Sequence, residues 1–222
     1  MAELRCVVAV DGPSGSGKST VSRRLAQRLD ARYLDTGAMY RALTWAVLQA
    51  GVDLTDPDGI AKVAVDCELI ITTDPERPSI SVNGENVDGP IRGGEVTSAV
   101  SAVSAVPFVR QVLTARQRAI IDESARIVVE GRDIGTVVAP DADLKVFLTA
   151  SSAERARRRS AENAVDHAAT EADLARRDHL DSTRKVNPLQ QAADAVVLDS
   201  TELGIDEVVS ELHRLLTARK AV

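Results

Sequence analysis

"CVVAVDGPSGSGKST", residues 6–20, carries the reading that decides the fold. A valine-rich run stops at Asp11, and a loop with Gly12, Gly15 and Gly17 follows it directly. Gly12-Pro13-Ser14-Gly15-Ser16-Gly17-Lys18-Ser19 satisfies G-x-x-x-x-G-K-[ST], the phosphate-cradling loop set between a strand and a helix. Each residue type meets a physical need. Glycines let successive backbone N–H groups curl around an anionic oxygen with no Cβ in the way. A helix beginning at Lys18 adds its positive dipole end. Lys18 can reach the outer phosphates, and the Ser19 hydroxyl can ligate Mg²⁺. No third glycine completes G-x-G-x-x-G, so the loop is not a dinucleotide fingerprint. The stretch predicts that residues Gly12 to Thr20 bind ATP.

Working outward, the pattern alternates. Leu4–Val10 reads as a buried strand, and a helix from Lys18 to Leu29 carries Val21, Leu25 and Leu29 on one face. "ARYLD" (31–35) is a second strand, and Thr36 is expected to cap the helix through "MYRALTWAVLQA" (39–50). "ARIVVEG" (125–131), "DLKVFLT" (143–149) and "DAVVLDS" (194–200) add three buried strands, and an amphipathic helix ends the chain. This predicts an α/β fold with a five-stranded parallel sheet flanked by helices. "CELIITT" (67–73) and "PSISVNGENV" (78–87) break the pattern, and Asn83-Gly84 is a type I′ hairpin signal. The expected division is a core of residues 1–52 and 105–222 with an α+β insertion over 53–104. A helix from Pro107 to Glu123 returns to the core. An arginine-rich polar segment, 151–187, reads as a helical lid, two helices joined by a mobile turn.

Composition narrows the function. The chain has 222 residues, 44% hydrophobic and 27% charged, the balance of a soluble globular protein. Aromatics make up 2%, which leaves little platform for base stacking. The net charge is -6, against a basic face for long nucleic acids. No stretch approaches the ~20 apolar residues that span a bilayer. Cys6 and Cys67 lack metal or redox spacing, and the histidines are scattered. The expectation is a monomeric cytoplasmic protein with neither nucleic-acid nor membrane partners.

In an open parallel sheet, ligands gather at the carboxyl ends of the strands. "DTGAMYR" (35–41) lies at one such end and places Arg41 early on a helix. "EGRDIGT" (130–136) lies at another and sets Arg132 beside Asp133. "RRDHLDSTR" (176–184) frames Asp178 and Asp181 with Arg177 and Arg184, as a lid closing on phosphates requires. No N-K-x-D segment marks a guanine-specific switch. A different small-molecule kinase, or a non-catalytic ATP-binding module, stays open on these residues alone.

Taken together, "DGPSGSGKST", "LDTGAMYRAL", "EGRDIGTVV" with "LKVFLTAS", and "RRDHLDSTR" with "VLDS" resemble the bacterial cytidylate kinases, within the nucleoside monophosphate kinases. The likeness runs from about residue 5 to 212. It implies transfer of the γ-phosphoryl group of ATP to CMP or dCMP with Mg²⁺. It implies donor roles for Lys18 and Ser19, and a grip on the acceptor phosphate by Arg41, Arg132 and Arg177. Ser101, Arg110 and Asp133 would read cytosine, Asp181 the sugar, and Arg158 and Arg184 would act as lid arginines. Thr36 and Tyr40 join the acceptor side. Two departures keep their functional groups: Glu130 stands where the family often has aspartate, and Thr36 where some members have serine.

Overall fold

The computed structural model describes residues 5–163 and 167–220. Strand β1, Cys6–Asp11, is buried along its whole length. It runs through the glycine loop into α1, Lys18–Arg28. β2 (Arg32–Asp35) and α2 (Thr36–Gln49) come next, then α3 (Pro57–Asp66). The short strands β3 (Leu69–Ile71), β4 (Ile80–Val82) and β5 (Glu85–Asn86) form a separate antiparallel sheet. α4 (Gly94–Ala105) and α5 (Pro107–Asp122) lead to β6 (Arg126–Gly131). After β7 (Leu144–Thr149) come α6 (Ser152–Asn163) and α7 (His167–Thr183). β8 (Val196–Asp199) and α8 (Ile205–Lys220) follow.

The main sheet has five parallel strands in the order β2-β6-β1-β7-β8. The connection from β1 passes over β6 to reach β2, and the one from β6 passes over β1 to reach β7. The strand order therefore reverses at the carboxyl ends of β1 and β6, where such sheets open a crevice. Register brings the key segments level there: Asp11 lies opposite Gly131, and Asp35 opposite Glu130.

Alternation along β1 splits the core. Val7 and Ala9 face one buried cluster with α2 and α5, and Val8 and Val10 face another with α1 and α8. The first cluster also takes Ile60, Ile80, Val82, Val87 and Val103. The 53–104 segment thus shares its core with one face of the main sheet. It also guards the β2 edge, since the Tyr33 N–H donates to Thr73 O at 2.8 Å.

Local chemistry explains the boundaries. Asn83 and Gly84 adopt positive φ of 50° and 82°, as the type I′ hairpin requires. Asp56 caps α3 through the amides of Asp58 and Gly59 at 3.1 and 3.0 Å, with Pro57 in the first turn. The cap of α2 is Asp35, whose Oδ1 accepts from Ala38 N at 2.8 Å. The cap expected at Thr36 is therefore one residue late, because the Thr36 hydroxyl is spent on Glu130 O at 2.7 Å. β1 runs one residue past the expected end, to Asp11. The expected strand start at Leu4, and the turn between α6 and α7, lie outside the described residues. No single helix among the described residues is long and apolar enough to cross a membrane, and α4 and α5 meet at 95°.

Gly12 shows how tightly the loop is seated. Its φ is +151°, and a Cβ there would lie 2.0 Å from Leu148 O on β7. Gly12→Ala should cost about 3 kcal/mol or more, since backbone has to move. Gly51→Ala, at φ +65° with open space around it, should cost only about 1 kcal/mol. Urea unfolding midpoints of the two variants check the difference.

Candidate active site

The glycine loop is braced from three sides. Lys18, the first residue of α1, is buried, and its Nζ donates to Pro13 O at 2.7 Å and Ser16 Oγ at 3.4 Å. Gly15 and Gly17 hold φ of +78° and +87°, the left-handed bends that turn successive amides inward. Helices α6 and α7 pack on the loop's outer side. Arg155 Nη1 donates to Ser14 O at 2.9 Å and to Asp178 Oδ2 at 2.5 Å. Asp178 Oδ1 accepts from Ser14 N at 3.1 Å. Arg158 Nη2 donates to Ser200 O at 2.7 Å, and its Nη1 reaches Ser16 O at 3.5 Å. Burial, then the charge of Arg132, pulls the Lys18 ammonium below its ordinary range, while Glu130 and Asp11 oppose the shift.

Across the crevice, arginines are held by carboxylates. Arg110 is 1% exposed, donates from Nη2 to Asp133 Oδ2 at 2.6 Å, and lies 5.0 Å from the Tyr40 ring centre, a cation–π distance. Arg132 Nε donates to Asp181 Oδ2 at 2.9 Å. Arg184 stands 3.6 Å from Asp133 and 3.8 Å from Asp181, and donates from Nε to Asn187 O at 2.6 Å. Arg41 Nη1 reaches Thr97 Oγ1 at 3.2 Å. Arg177 is buried nearby. Burial, then Arg177 for Arg41 and Arg132 for Arg177, pushes both guanidinium groups down. The groups stay protonated, held in a buried crevice where their positive charges crowd one another. Arg110 Nε and Arg184 Nη2 are buried with no hydrogen-bond partner. A pocket with crowded cations and unused donors is built for an anionic, hydrogen-bonding ligand.

Under the loop sit oxygen groups. Glu130 is 3% exposed, and Tyr33 Oη donates to its Oε1 at 2.5 Å. Burial, then Asp35, pushes the Glu130 carboxyl above its usual range. Ser19, Asp35 and Glu130 share the cavity wall. These are hard donors of the kind Mg²⁺ takes. No cluster of three or more His, Cys, Asp or Glu among the described residues could hold a metal by itself.

A single cavity of about 920 Å³ joins these parts. Ser14 through Thr20 line it, with Thr36, Tyr40, Arg41, Ser101, Arg110, Arg132, Asp133, Arg158, Arg177, Asp181 and Arg184. Gly12 and Pro13 stand behind the wall. Gly12 packs on β7, and the Pro13 carbonyl receives Lys18. Arg184, expected as a lid arginine, sits against the Asp133 and Asp181 carboxylates. The sequence reading missed the loop-bracing contacts of Arg155 and Asp178 and the wall from Ser200 to Val208. Asp178 stood inside a motif already singled out. Nothing local marks Ser200–Val208.

Comparison with known proteins is consistent with this geometry. A family model described as cytidylate kinase matches residues 8–218. The chain is 57% identical over 224 residues to a protein of Rhodococcus jostii (strain RHA1) named cytidylate kinase, covering 99% of this chain and 98% of that one. It is 60% identical over 215 residues to the cytidylate kinase of Nocardia farcinica (strain IFM 10152), covering 95% and 93%. Among solved structures, it resembles shikimate kinase from Acinetobacter baumannii in complex with shikimate. The TM-score is 0.52 at 14% identity, over 99% of this chain and 97% of that one. At that identity the likeness speaks for the fold alone.

The carboxylate–arginine pairing leaves a mark on stability. Burial raises the Asp181 carboxyl, but Arg132 and Arg184 outweigh it and hold the group below its usual range. The pair's contribution is therefore present above the unfolded carboxyl's pKa and lost as pH falls through the folded value. Asp181→Asn should destabilise by about 3 kcal/mol near neutral pH, since it leaves Arg132 buried without its partner. The deficit should shrink as pH drops below about 4. Urea unfolding of both proteins across that range is the check.

Proposed function

The chain belongs to the cytidylate kinase family, and from that premise we propose that it transfers the γ-phosphoryl group of ATP to CMP or dCMP. The products are ADP and CDP or dCDP. One observation carries this reading. The cavity runs unbroken from the glycine loop to the Arg110–Asp133 pair, with Arg41, Arg132 and Arg177 between. That is room for two phosphate-bearing ligands end to end.

The chain's own residues do positioning and electrostatic work, which is what phosphoryl transfer asks of a protein. Loop amides and Lys18 hold the donor's phosphates, and Lys18 moves from Pro13 O onto the outer oxygens. Arg41, Arg132 and Arg177 take the acceptor phosphate and oppose its charge. Arg158 stands over the loop at Ser16 O, ready for the transferring group. Ser19, with Asp35 and Glu130 behind it, would hold Mg²⁺, which when bound would supply charge neutralisation on the donor's phosphates. Helices α6 and α7, within a lid of residues 151–187, exclude water that would otherwise hydrolyse ATP. Segment 53–104 supplies much of the acceptor side through Ile91, Arg92, Val100, Ser101 and Ser104, over a core of 1–52 and 105–222. We take the protein to act as a cytoplasmic monomer without nucleic-acid or membrane partners, in keeping with its acidic balance.

Base choice follows from donors and acceptors. Asp133 can accept from the cytosine amine, and Arg110 can donate to N3 and O2. The unused Nε of Arg110 and Nη2 of Arg184 supply spare donors. Asp181, on the same face, suits a sugar hydroxyl. Uracil turns an acceptor toward the carboxylate and an N–H toward the guanidinium, mismatches that cost about 1–3 kcal/mol each.

The reading is tested with a panel of CMP, dCMP, UMP, AMP and gluconate and coupled detection of ADP. CMP should exceed UMP by at least tenfold in kcat/KM, roughly one mismatch. Equal values would remove Asp133 from base reading, and ADP release independent of any acceptor would remove the kinase assignment. From its contacts, Arg184→Ala should raise KM for CMP by about tenfold while leaving the ATP dissociation constant nearly unchanged. Steady-state kinetics with equilibrium ATP binding separates the two.

A further inference from the structure

We propose that Asp11 is a positioning residue that holds the base-reading turn after β6 in register with the glycine loop, so that one carboxylate aligns acceptor with donor. The inference rests on the phosphoryl-transfer reading above. Asp11 is the last residue of β1, and Gly12 opens the loop directly after it. Its carboxylate is buried. Oδ1 accepts from Ile134 N and Oδ2 from Gly135 N, each at 2.8 Å. These are the first two amides after Arg132-Asp133, the residues that face the acceptor.

The turn over Ile134–Val138 has no side-chain cap of its own. Asp11 takes that place from 123 residues away. On the carbonyl side, Asp133 O accepts from Val137 N at 2.9 Å and Val138 N at 3.2 Å. The peptide following Asp133 is thus held from both sides, and the direction of its side chain toward Arg110 follows. Gly135 leaves little slack. A Cβ there would meet Lys145 Cδ at 3.2 Å and Asp11 Oδ2 at 3.4 Å.

Keeping a carboxylate here is costly for the fold. No lysine or arginine among the described residues hydrogen-bonds to it, and burial pushes its pKa up to about 6 while the two amides resist. Both Asp133 and Lys18 act on its charge. A rigid shared anchor is what near-attack alignment of two substrates requires.

Asp11→Asn keeps the size but offers one acceptor to two amides and turns an N–H toward the other. The CMP:UMP ratio of kcat/KM should fall at least about threefold, and KM for CMP should rise about tenfold. The ATP dissociation constant should stay within about twofold of the parent, since the loop's own bracing through Arg155 and Asp178 is untouched. Hydrogen exchange at the Ile134 and Gly135 amides should quicken. Gly135→Ala crowds the same turn against Lys145 and Asp11 Oδ2 without changing any residue of β1, and should move the same ratio in the same direction. If Asp11→Asn does not fold, Gly135→Ala decides alone. A folded variant that keeps the parent's CMP:UMP ratio and CMP KM overturns the proposal, as does a change confined to ATP binding. The parent protein is assayed alongside. Absence of CMP-dependent ADP release there sinks the functional reading itself, whereas its presence with unmoved variant ratios sinks only the role of Asp11.

Discussion

Burying several guanidinium groups in one crevice is costly, and carboxylates set between them offset much of that cost. That constraint shapes this molecule. Asp133 lies between Arg110 and Arg184, Asp181 between Arg132 and Arg184, and Asp178 holds Arg155. Removing such charges from water costs several kcal/mol per ion before pairing offsets it. The pairing is also incomplete, since Arg110 Nε and Arg184 Nη2 keep unused protons. A fold tuned for stability alone would have replaced these groups with packed apolar side chains. What remains is a shell of positive charge with spare donors around the crevice.

The parallel sheet makes this shell affordable in space. Every strand of the main sheet points the same way, so the segments after β1, β2 and β6 emerge on one edge. Reversal of strand order at β1 and β6 parts the connections there and leaves room. Two apolar clusters carry the sheet from either face, and the first continues past the strand ends through Ile134 and reaches the cavity wall at Tyr40 and Val100.

Much of this was legible in the chain. The glycine loop reads directly, because its requirements are local: bends without Cβ, a cation, a hydroxyl and a helix start. Arg41, Arg132 and Asp133 were legible because each follows a valine-rich or apolar strand within a few residues. The α2 cap was misplaced by one position, since Asp35 and Thr36 are both good caps and only the pull of Glu130 O on the threonine hydroxyl separates them. Helix α3 went unread: Asp56-Pro57 looks like punctuation, yet the same pair is an N-cap and a first-turn proline. Arg155 looked like a solvated helix charge, because a paired and an unpaired surface charge have the same local sequence.

By itself the chain determined the strand–loop–helix unit, the parallel sheet, the phosphate-binding loop and a set of arginines near strand ends. These depend on neighbours within a few residues, where propensity, spacing and turn chemistry act directly. Only the tertiary structure decided which carboxylate meets which arginine, that the lid helices grip Ser14 and Ser16, and that Asp11 reaches across to Ile134 and Gly135. The physical reason is that hydrogen bonds and ion pairs between buried groups depend on distances set by packing. Residues more than a hundred positions apart have no distance until the core has formed.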